Sequence, residues 1–122
     1  MTPFGLHLQQ LRQQRNISQK EMAAAIGVSP AYLSALEHGR RGTPSWALLQ
    51  RIVGFLNIIW DEAENLQNLA ALSDPKVTID TTELSAEATR IANLFAMKIS
   101  ELSDNQLRQL EDSIFNGTDK FR

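Results

Sequence analysis

Apolar residues recur along this chain at the three- and four-residue steps of amphipathic helices, and the pattern breaks at a few capping and turn residues. Phe4, Leu8 and Leu11 form one such stripe and predict a first helix from about Phe4 to Arg15. The next stretch, ISQKEMAAAIGVSPAYLSALEHGRR from Ile17 to Arg41, reads as two short helices joined by a tight turn. Ser18 and Glu21 have the spacing of a capping box, which satisfies two orphan backbone donors at a helix start. Met22, Ala23 and Ile26 follow on one face. Gly27 then stops the helix where the chain needs a positive φ angle. Ser29 caps the following helix, with Pro30 at the first position, where its missing N–H costs nothing.

Further on, Thr43-Pro44-Ser45 opens a fourth helix whose Leu48, Leu49, Ile52, Val53 and Leu56 point inward. Trp46 at its start is expected to be a core or edge contact. A fifth helix is expected from Ile58 to Leu72, with Trp60, Ala63, Leu66, Leu69 and Ala70 spaced for packing. Its acidic first turns, Asp61, Glu62 and Glu64, favour a helix N-terminus. Ser73-Asp74-Pro75 breaks the helical pattern, and Val77-Thr78-Ile79 alternates as a brief strand or an extended linker would. Two more helices follow. Ser85 caps the first, in which Leu84, Ala88, Ile91, Leu94, Phe95, Ile99 and Leu102 make a wide apolar stripe. Ser103 and Gln106 form a second capping box before Leu107, Leu110, Ile114 and Phe115. Asn116-Gly117 ends that helix, and the last five residues are expected to fray.

Successive residues of the helix after Pro30 are rotated by about 100°. Leu33 and Leu36 therefore face inward, and Ala31, Ser34, Ala35 and His38 face outward. That outward side is small and nearly uncharged, so it can approach another surface closely. A short helix, a glycine turn and a second helix of this kind make a helix-turn-helix, whose second helix is the one that enters a DNA major groove.

The run Ser18-Gln19, Glu21-Met22-Ala23 and Ile26-Gly27-Val28-Ser29, followed by Leu33, Leu36-Glu37 and Gly39, strongly resembles the Cro-like phage-repressor (xenobiotic-response-element, XRE) family of DNA-binding proteins. Leu8, Leu11 and Arg12 match the family's first helix, and Pro44, Leu48-Leu49 and Ile52 its fourth. The resemblance covers about residues 4–70 and implies an all-α, five-helix, lambda-repressor-like DNA-binding domain over residues 1–72. A linker or short strand over 73–83 and a C-terminal helical extension over 84–122 complete the expected organisation.

Residue by residue, the resemblance implies that Arg12 pairs with Glu37 at the end of the recognition helix. Such a clamp is structural, and a planar guanidinium suits it. Gln19 occupies the family's phosphate-contacting position, where a helix N-terminus adds exposed N–H groups and positive dipole. Ala31, Tyr32, Ser34 and Ala35, with Ser29 and Pro30 at the helix entrance, are the candidates for base contact, and His38 on the outward side is a further DNA-binding candidate. Ala31 and Ala35 offer only apolar contact, for example to a thymine methyl, and Ser34 can donate or accept. Tyr32 lies on the flank, where it touches a phosphate or packs locally. Arg40 and Arg41, just after Gly39, lie in the loop that passes near the DNA backbone in the family. Glutamines are common on the recognition face of such repressors, and none occurs here between Ser29 and His38. Specificity is then expected to lean on DNA shape and on the arginines.

Composition changes this picture in two places. The net charge of −2 over 122 residues argues against nucleic acid on its own. Yet residues 1–56 carry six basic and two acidic side chains, whereas 57–122 carry six basic and twelve acidic. A basic front half and an acidic back half fit a DNA-binding head joined to a part that avoids phosphate. There is no cysteine, which excludes disulfides and thiolate metal sites. With no secretory leader pattern and no long apolar run, a soluble cytoplasmic protein of bacterial or phage origin is expected, without contact to a membrane.

No HExxH, P-loop or GxSxG arrangement occurs, and His7 and His38 are the only histidines, so neither an enzyme nor a cofactor is expected. The two C-terminal helices are too apolar to cover each other alone. Leu84, Ile91, Leu94, Phe95, Ile99, Leu102, Leu107, Leu110 and Ile114 are expected to form a homodimer interface, or else to extend the monomer core. A dimer would set two recognition helices about 34 Å apart on successive major grooves. The expected function is a transcriptional regulator, a repressor in the first instance, bound to a double-stranded DNA operator. Two alternatives stay open: an antitoxin that also binds a protein partner through the acidic C-terminal part, and a module that binds only protein.

Overall fold

The computed structural model describes residues 1–117, and their regular structure is entirely helical. In chain order the helices are α1 (Pro3–Gln14), α2 (Gln19–Ile26), α3 (Pro30–Glu37), α4 (Trp46–Leu56), α5 (Trp60–Ala71), α6 (Ala86–Lys98) and α7 (Asp104–Gly117). A 3-10 turn, Ile99–Glu101, follows α6 directly. The chain divides into two compact units, Met1–Val77 and a second beginning at Thr78. The expected fraying of residues 118–122 lies outside the described residues.

In the first unit, hydroxyls set most of the helix starts. Thr2 Oγ1 accepts from the Gly5 N–H at 3.0 Å, Ser29 Oγ from Tyr32 N–H at 3.0 Å and Ser45 Oγ from Leu48 N–H at 3.1 Å. At α2 both halves of the capping box form: Ser18 Oγ accepts from Glu21 N–H, and Glu21 Oε1 from Ser18 N–H. Gly27 ends α2 at φ +78, a left-handed conformation that a β-carbon would strain.

These helices enclose a core of Phe4, Leu8 and Leu11 from α1, Met22 and Ile26 from α2, Leu33 and Leu36 from α3, Leu48, Ile52 and Leu56 from α4, and Leu66 from α5. Each is at most 3% exposed, and burying a side chain of this size contributes roughly 1.5–3 kcal/mol. Where α1 crosses the end of α3, the backbones touch. A β-carbon on Gly5 would lie 2.6 Å from the Leu36 carbonyl oxygen and nearer still to that of Glu37. Only glycine permits so close an approach.

Three expectations are corrected here. Residues 77–79 form no strand, and among the described residues there is none; Val77 and Ile79 are exposed, with no second strand for their N–H and C=O groups to pair with. Trp46 is neither core nor edge packing, because it is 67% exposed at the first position of α4. Trp60 does not pack either. It is 83% exposed, it opens α5 at φ +57, and no side chain caps that helix.

The second unit has well-formed helix starts but no interior. Ser85 Oγ accepts from Ala88 N–H at 3.1 Å, and Ser103 with Gln106 completes a reciprocal capping box. Asp80 accepts from both the hydroxyl and the backbone N–H of Thr82, which holds its carboxyl below the ordinary carboxylate range. No described residue of this unit is buried. Ile79, Leu84, Ile91 and Phe95 instead line an apolar groove of about 450 Å³ with Leu110 and Ile114 of α7. A unit this small without an interior lacks the burial that folding alone requires.

Candidate nucleic-acid interface

The position of α3 follows from what lies on either side of it. Gly27 and Ser29 turn the chain out of α2, and Leu33 and Leu36, at 0% and 1% exposed, anchor one face. The opposite face carries exposed Ala31 and His38, with Ser34 and Ala35 partly exposed. Ser29 and Pro30 at the entrance are also exposed. Of the side chains first singled out for base contact, Ala31, Ser34 and Ala35 lie with His38 on one accessible helix face and Ser29 and Pro30 are exposed at its entrance, whereas Tyr32 is partly buried against the core.

Behind that face, α1 is clamped to α3. Arg12 donates from Nε to Glu37 Oε2 at 2.9 Å and from Nη2 to Glu37 Oε1 at 3.1 Å, a bidentate pair. Arg12 Nη1 donates in addition to the Ile17 carbonyl at 3.0 Å. Glu37 is fully buried, so the pair sits where an unpaired carboxylate would be costly. Gln19 joins the same cluster, donating from Nε2 to Glu37 Oε1 at 3.1 Å. One of its two amide hydrogens is therefore committed inward. The amide carries a second hydrogen that this bond does not use.

At its other end α3 passes into a fixed loop. Gly39 turns at φ +76, and the Ala35 carbonyl accepts from both Arg40 N–H at 2.9 Å and Arg41 N–H at 3.4 Å. His38 Nδ1 lies 2.8 Å from the Ser34 carbonyl and 3.4 Å from the Ser34 hydroxyl. Arg40 and Arg41 are both exposed. The Arg41 guanidinium lies over the Tyr32 ring, 5.2 Å from its centroid, while Tyr32 itself packs partly buried against the core. Helical periodicity placed Tyr32 on the flank but gave no sign of that contact, which depends on the path of the loop after Gly39.

Residues 8–61 match the family model described as helix-turn-helix. They are a helix-turn-helix domain. The family is one of transcriptional regulators and not of enzymes. The chain is similar to the uncharacterized HTH-type transcriptional regulator RghRB of Bacillus subtilis (strain 168), 34% identical over 61 residues, or 50% of this chain and 44% of that protein. It is similar to the HTH-type transcriptional repressor RghR of the same organism, also 34% identical over 61 residues, or 50% of this chain and 45% of that protein. The match therefore spans less than half the length of these relatives. A chain of the solved SinR protein/SinI protein complex is similar over 96% of this chain and 99% of that one, at 23% identity and a TM-score of 0.45.

Around the helix-turn-helix domain the described residues hold no group of three or more His, Asp or Glu side chains that could bind a metal. No described helix is long and apolar enough to cross a membrane.

Proposed function

We propose that this chain is a sequence-specific regulator of transcription, acting as a repressor in the cytoplasm and binding a double-stranded operator as a homodimer. The observation that carries this reading is the face of α3. Its residues Ala31, Ser34, Ala35 and His38 are accessible, small or polar, and backed by buried leucines and the Arg12–Glu37 clamp. Such a helix can enter a major groove without deforming, with Gln19, Arg40 and Arg41 available to phosphates on either side.

The second unit supports the dimer. Leu84, Ile91, Leu94, Phe95, Ile99, Leu107, Leu110 and Ile114 are each at least 36% exposed, and Leu102 is partly exposed. The groove that Leu84, Ile91, Phe95, Leu110 and Ile114 line is almost wholly apolar, so it lacks the convergent polar groups that a small-molecule site uses to orient a ligand. A second copy supplies the matching apolar helix.

Duplex retention measured against salt tests the function. Log affinity is expected to fall linearly as log salt rises, with DNA upstream of the chain's own gene retained over mixed sequence. Absence of duplex binding at low salt would leave only the reading as a protein-binding module.

A further inference from the structure

Among the exposed cations of the first unit, Arg41 is unusual in being held. Its backbone N–H is tied to the Ala35 carbonyl, and its guanidinium lies over the Tyr32 ring. Tyr32 cannot easily move, because it belongs to α3 and packs against the core. Among the described residues no carboxylate pairs with Arg41, so its in-plane donors are uncommitted. Arg40, one residue earlier, has the same backbone tether but no ring or ion-pair partner among the described residues.

We propose that Tyr32 is a positioning residue for DNA binding, whose ring holds the Arg41 guanidinium ready beside the recognition helix for a backbone phosphate. This rests on the DNA-binding reading above. The contact with the ring uses the cation's charge and not its hydrogen-bond donors, so the five N–H donors of the guanidinium are left for phosphate oxygens. Immobilising a free arginine on binding costs conformational entropy, and a side chain already held avoids part of that cost. Tyr32 then strengthens DNA binding without touching DNA, and only while Arg41 is present.

The test is a double-mutant cycle in the full chain, using a mixed-sequence duplex of about 30 base pairs, three helical turns, at low salt. Tyr32→Leu, which keeps apolar packing and removes the ring, is expected to weaken binding roughly two- to tenfold. In an Arg41→Ala background the same change is expected to have little effect. Tyr32→Phe retains the ring and is expected to lose far less affinity than Tyr32→Leu. Arg41→Lys, which keeps the charge but not the planar group, is expected to lose affinity and serves if Tyr32→Leu fails to fold. Arg41→Ala is expected to lose more than Arg40→Ala. Additive effects of Tyr32→Leu and Arg41→Ala, or unchanged affinity for Arg41→Lys, would overturn the positioning role while leaving DNA binding intact. Failure of the unaltered chain to bind the duplex would overturn both.

Discussion

The Ser73 hydroxyl and the Phe4 backbone amide meet at 2.9 Å, joining the start of the first helix to the segment just beyond the fifth. The same hydroxyl donates to the Leu69 carbonyl. One buried side chain, 2% exposed, thus satisfies an orphan N–H of α1 and a late carbonyl of α5 at once. Ser73→Ala leaves the Phe4 N–H buried without a partner, which costs about 1–3 kcal/mol. Chemical unfolding should show that loss as a lower midpoint with an unchanged slope.

The Arg12–Glu37 pair makes a sharper prediction. Arg12→Ala strands a fully buried carboxylate and is expected to destabilise the first unit by about 3–5 kcal/mol. The double change Arg12→Met with Glu37→Leu removes both charges and should recover a large part of that loss in thermal unfolding. If the double variant is no more stable than Arg12→Ala, the cost does not come from the uncompensated charge.

For the second unit, a carboxylate placed in the apolar groove should break association. Ile91→Glu or Leu110→Glu is expected to raise the dimer dissociation constant at least tenfold, read by sedimentation of the full chain. Unchanged association would mean that the groove is not where two copies meet.

Much of the first unit was legible in the sequence because its signals are local. Ser18 with Glu21, Ser29 with Pro30, and Gly27 each satisfy or release backbone groups within a few residues, and the structure places all of them as capping and turn residues. Leu8, Leu11, Leu33 and Leu36 were legible for the same reason, since helical periodicity names the inward face. Periodicity does not say where the core ends. Trp46 and Trp60 fall at positions that fit a packing stripe, yet each opens its helix at the rim, where nothing covers it. Ser73 reads as a helix breaker, and its bond to Phe4 depends on how α1 and α5 come together. The contact of Arg41 with Tyr32 is hidden likewise, because it depends on the turn at Gly39. At Gln19 the pattern located the residue but not the inward hydrogen bond to Glu37.

The central claim, that α3 enters the major groove, is tested most directly by protection of guanine N7 from dimethyl sulfate on DNA upstream of the chain's own gene. The account predicts two protected major-groove patches about one helical turn apart, both lost in Ala35→Glu once its thermal unfolding has been shown to match that of the unaltered chain. DNA retained with N7 fully reactive throughout, or protection that survives Ala35→Glu, would contradict it.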